Sequence, residues 1–294
     1  MDLQDAPTEE ISDGFLTLHQ VRFFVKREDL IHPFIKGNKW HKLKYNLKQA
    51  QNKGSTKLLT FGGAFSNHIY ATASAGKIFG FETIGIIRGE ETLPLNPILS
   101  HATNCGMKLH YLDRTTYRQK AEQAFISSLK EKFGDFYLIP EGGTNEFAIR
   151  GTSEILQNIT TPYDYVGCAC GTGGTFAGLI VSENPQLANT QFIGFSVLKG
   201  DFLTAEIEKL IATEQANLPT RKWYINNEYH FGGYAKITPE LNDFVRDFNA
   251  KYPIPIEPIY TGKLFYGVFD LIKKKYFPPN SSILLIHSGG VYSY

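Results

Sequence analysis

The chain has 294 residues, of which 42% are hydrophobic and 20% charged, and its formal net charge is +1. That is the composition of a soluble globular chain long enough for a sizeable core, in one large domain or two lobes. The balanced charge supplies no field that would recruit nucleic acid or an anionic membrane, so neither is expected as a partner.

Residues 1–14 are acidic and polar, and no signal peptide is expected there. A strand reads over 21–25, a helix over 39–52, a strand over 58–61 and a helix over 67–79. Strands over 83–87 and 108–111 follow, then a helix over 117–133 and a strand over 137–139. A helix over 148–158 leads to a strand over 165–170, a helix over 175–183 and a strand over 191–196. Helices over 239–251 and 263–274 precede a last strand over 282–287. Most are bounded by Gly, Pro, Asn or Asp. Strands separated by helix-length segments imply βαβ units and a mostly parallel sheet. No apolar run approaches the roughly 18 residues of a membrane span. No repeat or tether divides the chain, so two lobes would be interleaved in sequence.

The cysteines are Cys105, Cys168 and Cys170, an odd number that argues against a disulfide framework and for a reducing cytoplasm. Cys168 and Cys170 share one face of a strand and lack companion ligands for zinc. They read as buried thiols, and no metal site is expected.

Glycine and asparagine cluster after strands: Gly62-Gly63 before Ser66-Asn67, Gly142-Gly143 before Asn145, Gly171 to Gly174, and Gly289-Gly290. Carboxyl ends of parallel strands lie on one side of a sheet, where ligands bind, so these loops mark a site. Gly171-Thr172-Gly173-Gly174-Thr175 has the makings of a phosphate cup: close backbone N–H groups, two hydroxyls and a helix N-terminus. It lacks the Lys-Ser/Thr ending of a Walker loop and the spacing of a dinucleotide site. Taken alone it reads equally as a tight turn. Lys39 stands at a helix start, where the macrodipole disfavours a cation and an imine would gain. Taken alone it reads as a surface lysine. Ser66 and Asn67 open a helix as a cap does, and the same N–H groups would hold a carboxylate.

The order of the motifs narrows the choice. Lys26-Arg27-Glu28-Asp29, Gly37-Asn38-Lys39, Ser66-Asn67-His68, Glu141 to Asn145, Gly171 to Thr175 and Tyr260-Thr261-Gly262-Lys263 follow one another along the chain. In that order the sequence resembles the pyridoxal 5′-phosphate (PLP) enzymes of the tryptophan synthase β-subunit fold, fold type II. Within them it is most similar to the 1-aminocyclopropane-1-carboxylate deaminase and D-cysteine desulfhydrase branch. The likeness runs from about Arg22 to Gly290.

The resemblance implies an α/β fold of two three-layer αβα lobes with mostly parallel sheets. Residues 1–50 and 142–294 would form the larger, cofactor-binding lobe, with 51–141 inserted as a smaller α/β lobe. It implies PLP as a Schiff base on Lys39, which later moves protons, with Asn67 at the cofactor's 3′-oxygen. Thr172, Gly173, Gly174 and Thr175 would hold the phosphate. Ser66, with the backbone around Asn67 and His68, would take the substrate carboxylate. Tyr234 and Tyr260 would act on the substrate side chain, and Lys42 matches a second lysine of the family. A homodimer is likewise implied.

Two departures bear on substrate. The deaminases carry Glu after the second tyrosine, at the pyridine nitrogen, where this chain has Thr261. A hydroxyl there, from Thr261 or Ser288, leaves the ring a weaker electron sink and tilts the expectation toward β-elimination. The family's Gln and Arg around the substrate loop are replaced by Phe65 and Tyr70. The expected enzyme is a D-cysteine desulfhydrase-like lyase giving a 2-oxo acid and ammonia. The alternatives are a deaminase of aminocyclopropane carboxylate, a racemase or β-replacement enzyme, and a catalytically silent PLP-binding protein.

Overall fold

A computed structural model describes residues 5–212 and 221–290. Its strands are β1 (Thr8–Ile11), β2 (Arg22–Lys26), β3 (Lys57–Gly63), β4 (Glu82–Arg88), β5 (Lys108–Leu112), β6 (Tyr137–Ile139), β7 (Tyr165–Cys170), β8 (Gln191–Ser196), β9 (Lys222–Asn226) and β10 (Ser282–Ile286). The helices are α1 (Gly14–Leu18), α2 (Asn38–Asn52), α3 (Asn67–Phe79), α4 (Pro97–Asn104), α5 (Arg114–Tyr117), α6 (Gln123–Phe133), α7 (Glu146–Ser153), α8 (Gly174–Val181), α9 (Leu203–Ala212), α10 (Pro239–Lys251) and α11 (Thr261–Lys273).

Two sheets result. One is six-stranded in the order β1-β2-β10-β7-β8-β9, and the other is four-stranded in the order β5-β4-β3-β6. Every pairing is parallel except that of β1 with β2. The alternation of strand side chains places a core on each face. On β10, Ile283 and Leu285 join α10 and α11, while Leu284 and Ile286 join α7, α8 and α9. Cys168 and Cys170 share the second of these faces, both buried and unbridged. In the smaller sheet, Leu59, Phe61, Ile84 and Ile86 meet α6, and Leu58 faces α2 and α3. The architecture is therefore α/β, with helices on both faces of mostly parallel sheets.

Some elements differ from the sequence expectation. The helix expected over 117–133 is two, because the chain turns extended at Glu122 (φ −78°, ψ 131°) and 118–122 offers the core no large apolar side chain. The helix expected over 148–158 ends in a 3-10 turn, Glu154–Leu156. Strands β1 and β9 and helices α4 and α9 are additional to the expected elements. Among the described residues no helix is long and apolar enough to cross a membrane.

Candidate active site

Carboxyl ends of strands from both sheets converge on a cavity of about 240 Å³. Gly63 and, just beyond it, Ser66, Asn67 and His68 come from the end of β3, Arg88 from β4, Glu141 from beyond β6, Gly171, Thr172, Gly173 and Thr175 from the end of β7, Leu198 from β8 and Ser288 from β10. This is the edge where parallel sheets bind ligands. Lys39, Ser66, Asn67, His68, Thr172, Gly173, Thr175, Tyr234, Tyr260 and Ser288 all line it. Gly174 and Thr261 lie behind the wall rather than on it.

Helix α2 brings in Lys39, and three separate segments fix where that helix starts. The Gly37 N–H donates to Glu28 O at 3.0 Å, the Asn38 N–H to Ser288 O at 3.1 Å, and Asn38 Nδ2 to Thr175 Oγ1 at 2.7 Å. Gly37 has φ +63°, and a β-carbon there would meet the Ser288 carbonyl oxygen at 1.9 Å. Only glycine permits that approach. The Lys26-Arg27-Glu28-Asp29 segment braces the same corner. Arg27 grips Asp29 through two hydrogen bonds of 2.9 and 2.8 Å, Asp29 faces His287 Nδ1 at 3.3 Å, and Glu28 holds His41 at 2.7 Å. Lys39 keeps surface toward the cavity while protein surrounds it, and this burial lowers its pKa to about 8.

Lys42, one turn along α2, is buried with its ammonium on three neutral oxygens. It donates to Gly142 O at 3.0 Å, Thr144 Oγ1 at 3.1 Å and Thr172 Oγ1 at 3.4 Å. Burial, and then the neighbouring Lys39, push its pKa well below the usual lysine range. Thr172 and Thr144 share a hydrogen bond of 2.6 Å. At the start of α8, Gly173 adopts φ +81°, and a β-carbon would strike Ile207 at 2.8 Å. A cup of hydroxyls and helix N–H groups around a buried cation that has no carboxylate partner among the described residues is what a phosphate dianion would complete. The donor set therefore fits the phosphate of PLP, which Lys42, Thr172, Gly173 and Thr175 would hold.

The facing wall is built from side chains. Ser66 caps α3, accepting from the Ile69 N–H at 3.4 Å. His68 Nε2 meets Thr60 Oγ1 at 2.7 Å, and that hydroxyl donates onward to Ile139 O at 2.8 Å. His68 therefore carries its proton on Nε2 and is neutral, with its pKa lowered by burial and then by Lys39 and Lys42. Its buried Nδ1 has no hydrogen-bond partner among the described residues. The Tyr234 and Tyr260 rings meet edge to face, with centroids 6.0 Å apart. Burial raises the pKa of both, so both are neutral phenols. Phe65 is 55% exposed, and Tyr70 stacks on His101 at 3.6 Å; neither lines the cavity.

The Thr261 hydroxyl is engaged by its own loop. It accepts from the Glu257 N–H at 2.9 Å and contacts the Glu257 carboxylate at 3.2 Å. That carboxylate accepts from the N–H groups of Ile259, Tyr260 and Thr261 at 2.7, 2.9 and 2.8 Å, shaping the entry to α11. Burial raises the Glu257 pKa against the pull of those donors. Ser288 is the residue of the proposed hydroxyl pair that stands on the wall.

Sequence reasoning passed over Arg88 and left Glu141 without a role. Both directly terminate or follow a strand at the ligand edge, and strand-end position is the signal that would have found them.

The chain resembles known proteins over most of its length. The family described as pyridoxal-phosphate dependent enzymes matches residues 6–289. A Pyrococcus horikoshii protein provisionally named 1-aminocyclopropane-1-carboxylate deaminase is 32% identical over 276 residues, covering 91% of this chain and 84% of its own length. A mitochondrial protein of Arabidopsis thaliana, named as a bifunctional D-cysteine desulfhydrase and 1-aminocyclopropane-1-carboxylate deaminase, is 27% identical, covering 91% and 72%. The crystal structure of an aminocyclopropane-carboxylate deaminase homologue superposes with a TM-score of 0.84 at 28% identity, covering 98% of this chain and 90% of that one. The chain belongs to the pyridoxal-phosphate-dependent enzymes, of fold type II and similar to the deaminase and desulfhydrase members.

Proposed function

We propose that this enzyme is a lyase that removes the β-substituent of a small amino acid, as a D-cysteine desulfhydrase does, and releases a 2-oxo acid and ammonia. The observation that carries the reading is that a lysine of lowered basicity shares one cavity with two neutral phenols. β-Elimination asks for one base at the α-carbon and one acid at the leaving group. Bound PLP supplies an electron sink that acidifies the α-proton.

Lys39 would anchor the cofactor, then take the α-proton at Nζ. Its pKa of about 8 puts a substantial share of the amine in the basic form near neutral pH. Asn67 would meet the cofactor's 3′-oxygen. Ser66 and the N–H groups of the first turn of α3 would orient the substrate carboxylate. Tyr260, or Tyr234 beside it, would donate a proton to the departing group. Among the described residues Glu141 is the one carboxylate on the cavity wall. It accepts from Tyr117 at 2.8 Å and faces Lys120 at 3.4 Å. Ser288 thus supports a hydroxyl at the pyridine nitrogen, which favours elimination over cyclopropane opening.

We read the chain as two lobes, 51–141 inserted between 1–50 and 142–294. Separate hydrogen bonding of the two sheets supports this, and the packing of α2 on the smaller one argues for moving the first boundary toward Gly37. The reading includes a homodimer, checked by the mass of the species in solution.

The names of the relatives support a second activity, deamination of aminocyclopropane carboxylate. Incubation of the holoenzyme with D-cysteine, L-cysteine, D-serine and aminocyclopropane carboxylate separates the two. Sulfide with pyruvate from a cysteine supports elimination; an oxo acid from the cyclopropane alone overturns it.

A further inference from the structure

Arg88 ends β4 and stands on the cavity wall. Its Nη2 lies 3.5 Å from where a β-carbon on Gly63 would sit, so it overlooks the strand end that leads into the substrate loop. Its guanidinium carbon is 5.6 Å from the Tyr117 ring centroid, and its charge is felt at Tyr234. It is exposed at the mouth, where a permanent cation is kept without desolvation cost. Among the described residues no carboxylate lies within 4.0 Å of it, because Glu141 is turned to Tyr117 and Lys120. The α-amine and α-carboxylate of a substrate have their places deeper, at Lys39 and on the first turn of α3. Tyr234, the phenol that senses Arg88, stands where the substrate side chain would be handled.

We propose that Arg88 is a specificity-determining residue that selects amino acids whose side chain ends in an anionic group. The inference rests on the lyase reading for the direction in which the substrate lies. An anionic side-chain group meets a planar, five-donor guanidinium at the mouth, whereas a neutral one leaves that cation to water.

Calorimetry with the holoenzyme and each enantiomer of aspartate and alanine tests this, because neither ligand carries a good β-leaving group. The wild type should bind aspartate more tightly than alanine in one enantiomeric series. Arg88→Gln should lower the aspartate-to-alanine affinity ratio about tenfold, the low end for a charge-assisted hydrogen bond at an open site. Arg88→Lys should recover part of that ratio. No measurable binding of aspartate, an equal ratio in wild type and Arg88→Gln, or an equal loss of both ligands overturns the proposal. The last result would assign Arg88 to the α-carboxylate instead. Unchanged cofactor absorption in each variant establishes that the site is intact. Failure of the wild type to turn over any small amino acid would sink the lyase reading, while the binding ratio still judges Arg88.

Discussion

The phosphate-side wall of the cavity closes on itself: Lys42, Thr144 and Thr172 satisfy one another, and Asn38 ties Thr175 to the start of α2. The substrate-side wall is assembled from β3, β4, the segment after β6 and the loop before α10; His68 and Glu141 bond to residues behind it, at Thr60 and Tyr117, while Tyr234 and Tyr260 meet by ring packing. In the function we propose, the first wall would take something invariant, a phosphate, with backbone and small hydroxyls. The second must suit one side chain among many, so its specificity lies in individual residues that can change without disturbing the fold. The predictions below strike one wall or the other, and the size of each effect should follow from which is struck.

Lys39 belongs to both walls, and its loss should be the most damaging. Lys39→Ala should lower turnover by about 10³-fold or more, because in the mechanism we propose one residue would both anchor the cofactor and move the proton. It should also abolish the band near ~410–420 nm that borohydride bleaches, a band that marks a lysine conjugated with the cofactor. A variant that keeps the reducible band would remove Lys39 from the centre of the site. The pH dependence of cofactor uptake sharpens the same point. The neutral amine is the nucleophile, so uptake by apo-protein should rise with pH through about 8. A rise centred near ~10.4, the value for an unperturbed lysine, would mean that burial does not act on this amine.

On the substrate side, Tyr260→Phe removes a proton donor but leaves the ring packed on Tyr234. Turnover should fall about 10²-fold while PLP affinity holds, since a positioned acid contributes roughly that factor. The split between kcat and cofactor Kd is the measurement. Equal loss in both would make Tyr260 a structural residue.

On the phosphate side the opposite split is expected. Lys42→Ala should weaken PLP binding about 10- to 100-fold through the loss of a charge-assisted contact. Turnover at saturating cofactor should change far less. Pyridoxal without its phosphate should bind wild type and variant alike; a difference there would place Lys42 elsewhere in the reaction.

The same contrast explains what could be read from the sequence. The glycine-rich turn before α8 was legible because close backbone approach demands glycine, as at Gly173, and those glycines appear in the chain as a local word; its role as a phosphate cup is what we propose. The parallel sheets were legible from apolar runs such as those of β7 and β10. Arg88 was not, since an arginine after a strand looks like any solvated charge until β4 is placed beside β3. The loop role of Glu257 was hidden for a related reason: its partners are backbone N–H groups at 259–261, and no side-chain pattern records them. The strand β1 was missed because Thr8–Ile11 is mostly polar and owes its pairing to β2.

The smallest effect should come from the residue that looked most unusual in the sequence. Phe65 stands where the resemblance led us to expect Gln, in the segment proposed as the substrate loop, and suggested an altered substrate. Its side chain points to solvent, 55% exposed, while Ser66 beside it makes the cap. The cap depends on the Ser66 oxygen and the Ile69 N–H. A side chain off the cavity wall makes no contact that would stabilise a transition state. Phe65→Ala should therefore shift kcat/KM for any accepted amino acid by no more than about twofold. A tenfold change, particularly one confined to a single substrate, would show that the ring folds over the cavity once substrate is bound. Phe65 would then join Arg88 on the wall that sets specificity.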